Sequence, residues 1–227
     1  MVRRILGSVG LGAAVLVACV GDEPVVATVD GGSDAGTSGT SGTSGTSGTS
    51  GTSGTSGTSG SPGGKLAFVT KGKYNGKLGQ STGGVAGADL TCAREAATAG
   101  APGRKFRALL AVGGANALTR VTAGPWTMSA GEQVPSKADW GPSFNSIILI
   151  NRAADGSVVA AGEFAWTGSD ESGNAYLSEQ CANWTDDGTG NASGRAGLIG
   201  GKNSGEWLTS KSAGCSEEHH IYCFEEN

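Results

Sequence analysis

The chain has 227 residues, 42 of them glycine and only 6% aromatic, and carries a formal charge of −4. Without its first 18 residues it keeps 14 basic against 20 acidic side chains, a net −6. An acidic chain with no basic stripe argues against nucleic acid, heparin and anionic lipid surfaces as partners. Five cysteines are an odd number, and in an exported protein the odd one needs its own explanation.

The N-terminus supplies one. Arg3 and Arg4 form a short positive segment, and Ile5 to Val17 is an apolar run too short for a permanent membrane span. The run ends in Leu16-Val17-Ala18-Cys19, which resembles the bacterial lipobox. The resemblance implies a lipoprotein signal peptide over residues 1–18 and a lipidated Cys19 as first residue of the mature chain. Val20 follows Cys19 where an inner-membrane retention signal would place aspartate, so the expected address is the outer membrane or cell surface. The expected partner at this end is a lipid bilayer, since a diacyl-type anchor adds about 0.8 kcal/mol for each buried methylene.

Residues 19–64 read as a linker. Thr37 to Gly60 is eight consecutive Thr-Ser-Gly triplets, which hold no apolar area to offset chain entropy and are expected to stay disordered. The triplets contain no proline, which excludes a collagen reading. As a flexible coil, residues 20–64 would reach roughly 35–40 Å.

Residues 65–227 are expected to be the folded domain. Lys65 to Thr70 reads as an opening strand, followed by a glycine-rich loop. Asp89 is a plausible N-cap for a helix through Ala99, with Cys92, Ala96 and Ala99 on one face and Gly100-Ala-Pro102 as the stop. Phe106 to Leu110 is the next expected strand. The stretch from Gly113 to Ser143 reads as irregular, anchored by Trp126 and Trp140. Ala154-Asp155-Gly156 suggests a hairpin turn between Ile147–Ile150 and Val158–Ala160. Segments at Phe164–Gly168, Cys181–Thr185, Ala196–Gly201 and Glu206–Thr209 precede a closing strand, Ile221 to Phe224. A cysteine on an apolar closing strand is expected to be tied back to the early part of the fold, where Cys92 lies. Four cysteines (Cys92, Cys181, Cys215, Cys223) still allow three pairings. Short strands, long loops and one clear helix indicate an α+β fold stapled by disulfides.

Six blocks occur in one order: Gly87-Ala-Asp-Leu-Thr-Cys92, Phe106-Arg-Ala-Leu-Leu110, Trp166-Thr-Gly-Ser-Asp170 with Gly173, Cys181-Ala-Asn-Trp-Thr185, Leu198-Ile-Gly-Gly201, and Cys215 with Ile221-Tyr-Cys-Phe-Glu225. This series resembles endostatin, the C-terminal domain of collagens XV and XVIII, and an uncharacterised family of bacterial surface-lipoprotein domains. The resemblance covers residues 65–227 and implies a C-type-lectin-like fold with nested disulfides, Cys92–Cys223 and Cys181–Cys215. Endostatin's zinc site relies on histidines near the start of its domain; here no histidine precedes His219, so that site is not carried over. Its heparin-binding arginines are not matched either.

Catalytic motifs are scarce. The chain has two histidines, His219 and His220, adjacent and so directed to opposite faces of a strand. There is no G-x-S-x-G elbow, phosphate loop or C-x-x-C. No cofactor is expected; His219 and His220 lack a matching ligand cluster, and calcium is the better metal candidate. Asp186, Asp187 and Asn191 offer three oxygen side chains, without EF-hand or lectin-type spacing and in residue types that also build ordinary turns. Trp166, Asp170, Asn183 and Trp184 form the candidate ligand site, an aromatic beside polar loop residues. The competing reading, favoured here, puts both tryptophans in the core. The expected function is a surface-displayed, non-catalytic binding module for an extracellular glycan or protein. Two alternatives stand beside it: a polysaccharide hydrolase pairing Asp170 with Asp186 or Glu163, and a purely structural lipoprotein.

Overall fold

The computed structural model describes residues 64–79, 83–140 and 150–227. The signal peptide, Cys19 and the triplet linker lie outside the described residues, as does most of the strand expected at 147–150.

The closing strand is the hub. The strands are β1 (Lys65–Val69), β2 (Phe106–Ala108), β3 (Trp126–Thr127), β4 (Gln133–Val134), β5 (Phe164–Trp166), β6 (Ser193–Leu198), β7 (Lys211–Gly214) and β8 (His220–Glu225). β8 runs antiparallel to β1, with Phe68 opposite Cys223, and antiparallel to β2, with Ala108 opposite Cys223. It also pairs with β5 in parallel. The full path is β4-β3-β1-β8-β5-β6-β7, with β2 joined to β8 off that path. This is a mixed α+β fold.

Side chains alternate across a strand, and here both faces are covered. Ala67 and Val69 of β1, with Tyr222 and Phe224 of β8, enter one core together with Trp126, Trp140 and Trp207. Leu66 and Phe68, with Ile221 and Cys223, enter a second core together with Trp166, Trp184 and the buried face of the helix. Double burial explains why β1 and β8 read as nearly continuous apolar runs. Trp126 stacks on Trp140 at 5.4 Å and meets Phe224 edge-on at 5.0 Å, so the two expected anchors form one aromatic cluster.

The helix, α1, spans Gly84–Thr98 and begins five residues before the expected Asp89 cap. Its N-cap is Gly83, at φ 59°, with no capping side chain. Asp89 is engaged elsewhere: its carboxylate accepts from Ala108 N at 2.8 Å and pairs with Arg107 and Arg120, which ties the helix to β2. A Cβ on Gly87 would sit 2.5 Å from the Cα of Gly79, so the helix packs against the preceding loop more closely than any side chain allows.

One other expectation needs correction, and two segments left without a type take a definite form. The stretch after Gly113 is not wholly irregular, because β3 and β4 pair there. Glu206–Thr209 belongs to a helical turn, Ser204–Thr209, capped by Asn203. In Cys181–Thr185, Cys181, Ala182, Asn183 and Trp184 carry φ of 46°, 51°, 60° and 65°, a left-handed turn built without glycine. Such a conformation costs roughly 1–2 kcal/mol per residue and persists only where its surroundings over-determine it. The disulfides are Cys92–Cys223 and Cys181–Cys215, each with Cα atoms 5.6 Å apart, in the nested order.

Candidate functional site

The loop between β1 and α1 forms one wall of a cleft of about 700 Å³, with the outer face of α1 and the turn at Ala153–Asp155 as the others. Buried groups hold this loop. The Thr70 hydroxyl accepts from Ile221 N at 2.9 Å and donates to Gly72 O. Tyr74 and His219 exchange both backbone hydrogen bonds, and Trp166 Nε1 donates to Tyr74 O at 2.7 Å. Glu95, on α1, accepts from Lys71 N, Gly72 N and the Tyr74 hydroxyl at 2.6, 3.0 and 2.9 Å. One carboxylate thus closes three donors of the loop onto the helix. Burial, reinforced by the Glu95 charge, pushes the Tyr74 phenol above its ordinary pKa, so it remains the donor.

Four cations line the cleft: Lys71, Lys73, Lys77 and Arg94. Three are ion-paired. Lys71 meets Asp155 at 2.8 Å, Lys73 meets Glu163 at 2.7 Å, and Lys77 meets Asp187 at 3.7 Å. The hydrogen bond from Lys71 holds the Asp155 carboxyl well below its usual range, and that from Lys73 lowers Glu163. Arg94 is exposed, and among the described residues the one hydrogen bond of its side chain runs to the Thr91 hydroxyl at 3.4 Å.

The candidate ligand residues separate. Trp166 and Trp184 are fully buried, their rings 5.8 Å apart, and Trp184 Nε1 donates to Ala111 O at 2.8 Å. Neither presents a face to a ligand. Asp170 closes its own turn, accepting from Ser172 N and Asn174 N, both at 2.8 Å. Asn183 is exposed and accepts from Gly113 N at 3.0 Å. The Asp170 turn reaches the same segment through Asn174 and Asn116, so Asp170 and Asn183 sit on loops tied to residues 113–116. The left-handed turn backs the cleft: Trp184 O accepts from Leu78 N, and the Cys181 sulfur lies where a side chain on Gly76 would stand.

Asp186 accepts from Gly188 N at 2.7 Å, and Asp187 divides its oxygens between Thr189 N and Lys77. Asn191 is exposed with φ 57°. Among the described residues, no group of three or more His, Cys, Asp and Glu side chains is placed to hold a metal ion. His219 and His220 are buried. Desolvation pushes His219, 4.5 Å from the Trp166 ring, down to about 4. Burial also lowers His220, whose Nδ1 lies 2.7 Å from Thr70 O.

Lys71, Tyr74, Arg94 and Glu95 were not selected from the sequence. Their only signal was a basic, aromatic Lys71-Gly-Lys-Tyr74 stretch inside a glycine-rich loop, and nothing linear joins that stretch to Glu95. Comparison of the chain with protein-family models finds no match, and comparison with curated proteins finds none.

Proposed function

We propose that this chain is an exported bacterial lipoprotein, anchored through Cys19, whose residues 65–227 form a non-catalytic binding module for an extracellular glycan or protein. In this reading residues 1–18 are the signal peptide, residues 20–64 are a spacer, and the domain is endostatin-like with a C-type-lectin-like fold. The six ordered sequence blocks and the nested disulfides support the fold assignment. The lipobox-like Leu16-Val-Ala-Cys19 supports the anchor.

The observation that carries the binding reading is the cleft of about 700 Å³, which lies in the usual range for a ligand site and is lined by several cations, a phenol and hydroxyl side chains. The carboxylates named for a hydrolase favour binding over catalysis. A glycosidic general acid needs a raised pKa, whereas Glu163 is lowered by Lys73, and Asp170 and Asp186 cap turns.

The test is a screen of extracellular polysaccharides and proteins against the full-length protein displayed on cells, repeated with Tyr74→Ala and Lys77→Glu. The expected result is retention of at least one ligand class, reduced tenfold or more by either substitution, with display lost in Cys19→Ser. A ligand that binds the cleft variants unchanged would place the site elsewhere. Turnover of a bound polysaccharide would replace the module with an enzyme.

A further inference from the structure

We infer that the cleft takes a sugar unit carrying a single carboxylate, seated on Arg94; this rests on the cleft being the module's binding site. The argument begins with which charges are engaged. Glu95, although inside the cleft, already accepts three donors of its own wall. Each lysine faces a carboxylate, and these partners are solvent-accessible, with Asp155 at 40%, Glu163 at 36% and Asp187 at 36% side-chain exposure. Ion pairs of that kind contribute little, so the lysines are screened without being locked. Arg94 stands apart. It lines the cleft with no carboxylate on its guanidinium among the described residues, and a planar guanidinium matches a carboxylate through two parallel hydrogen bonds.

The charge count limits the ligand as well as attracting it. The three lysines are balanced by Asp155, Glu163 and Asp187, and Glu95 is spent on its own wall, which leaves Arg94 as the one cation of the lining without a carboxylate among the described residues. One unpaired guanidinium suits one negative charge. A polymer bearing several sulfates would bring further charges against Asp155 and the exposed Glu218. The remaining lining includes the Asn75 amide and the Thr98 hydroxyl beside Ala99, Ala153 and Ala154, a mixture of polar and apolar surface that suits a sugar ring.

The experiment titrates full-length protein in nanodiscs with three probes: a neutral trisaccharide, the same trisaccharide ending in one uronate, and a heavily sulfated polysaccharide. Affinity is read by calorimetry and the contact by the side-chain nitrogen resonance of Arg94. The expected result is uronate binding at least tenfold tighter than the neutral probe, erased in Arg94→Gln and kept in Arg107→Gln, an exposed arginine paired with Asp89 and Glu226. Arg94→Gln is expected to keep the wild-type melting temperature, since the side chain is exposed and bonded only to Thr91 among the described residues. Equal cleft binding of the neutral and charged trisaccharides would overturn the carboxylate and leave the cleft as the site. Tightest binding of the sulfated polymer, or a uronate advantage that survives Arg94→Gln, would also overturn it. Absence of binding by all three probes, with a screened ligand mapping outside the cleft, would overturn both.

Discussion

His219 shows how a single residue is set by its neighbours. It is 6% exposed, its ring lies 4.5 Å from Trp166 and 5.9 Å from Phe164, and the charges around it are Lys211, Glu217, His220 and Lys73. Burial opposes its protonated form, and Lys211 adds to the effect. Its folded pKa of about 4 lies below the ordinary 6.5, so the unfolded chain binds more protons between those values. The resulting stability is complete above about pH 6.5 and lost as pH falls toward 4. His220, shifted in the same direction, adds to the loss. Denaturant titrations at pH 7 and pH 4.5 are expected to differ by about 2–3 kcal/mol from His219. His219→Phe is expected to flatten that dependence, and an unchanged slope in this variant would refute the assignment.

At the scale of elements, the cleft depends on the loop after β1 being fastened to α1. Glu95 provides that fastening, because no other carboxylate reaches Lys71 N and Gly72 N among the described residues. Glu95→Ala would leave two backbone amides and the Tyr74 hydroxyl without their acceptor. Unpaired donors cost about 1–3 kcal/mol when buried, less where water can replace the partner. The expected outcome is a loss of about 2 kcal/mol in stability and faster amide exchange confined to residues 71–74. Tyr74→Phe, which removes one donor and keeps the other two bonds, is expected to lose about half as much. The loop was legible in the sequence as a glycine-rich connection. Its attachment was not, because Lys71 and Glu95 are 24 positions apart and meet only once α1 has packed. The left-handed turn was hidden for a related reason. Cys181-Ala-Asn-Trp184 contains no glycine, and its positive φ values are imposed by the Cys181–Cys215 bridge and the burial of Trp184.

Across the whole molecule, the two disulfides share the second core and divide the labour between them. Cys92–Cys223 ties α1 to the hub strand across 131 positions, and Cys181–Cys215 spans 34 positions and holds the left-handed turn. The chain-entropy model assigns about 5 kcal/mol to the first loop and about 4 kcal/mol to the second. Cys92→Ala/Cys223→Ala is therefore expected to lower stability more than Cys181→Ala/Cys215→Ala. Only the second pair is expected to disturb the amide resonances of residues 76–78, because Gly76 and Leu78 bond to Cys215 O and Trp184 O. Equilibrium unfolding and amide spectra of the two double variants check both statements; the opposite order of stabilities would contradict the loop-length argument.

Residue type and spacing alone determined the strands whose apolar runs are continuous, β1 and β8, the end of α1 at Gly100, and the turn at Asp155. These features depend on backbone preference and on local apolar pattern, both of which a linear string carries. The start of α1, the role of Asp89, the left-handed turn and the cleft were decided by tertiary structure. In each case a long-range contact outweighs a local preference: Asp89 is worth more to Ala108 N, Arg107 and Arg120 than as a helix cap. The same holds for Glu95, whose three donors come from a loop that no sequence periodicity brings near it.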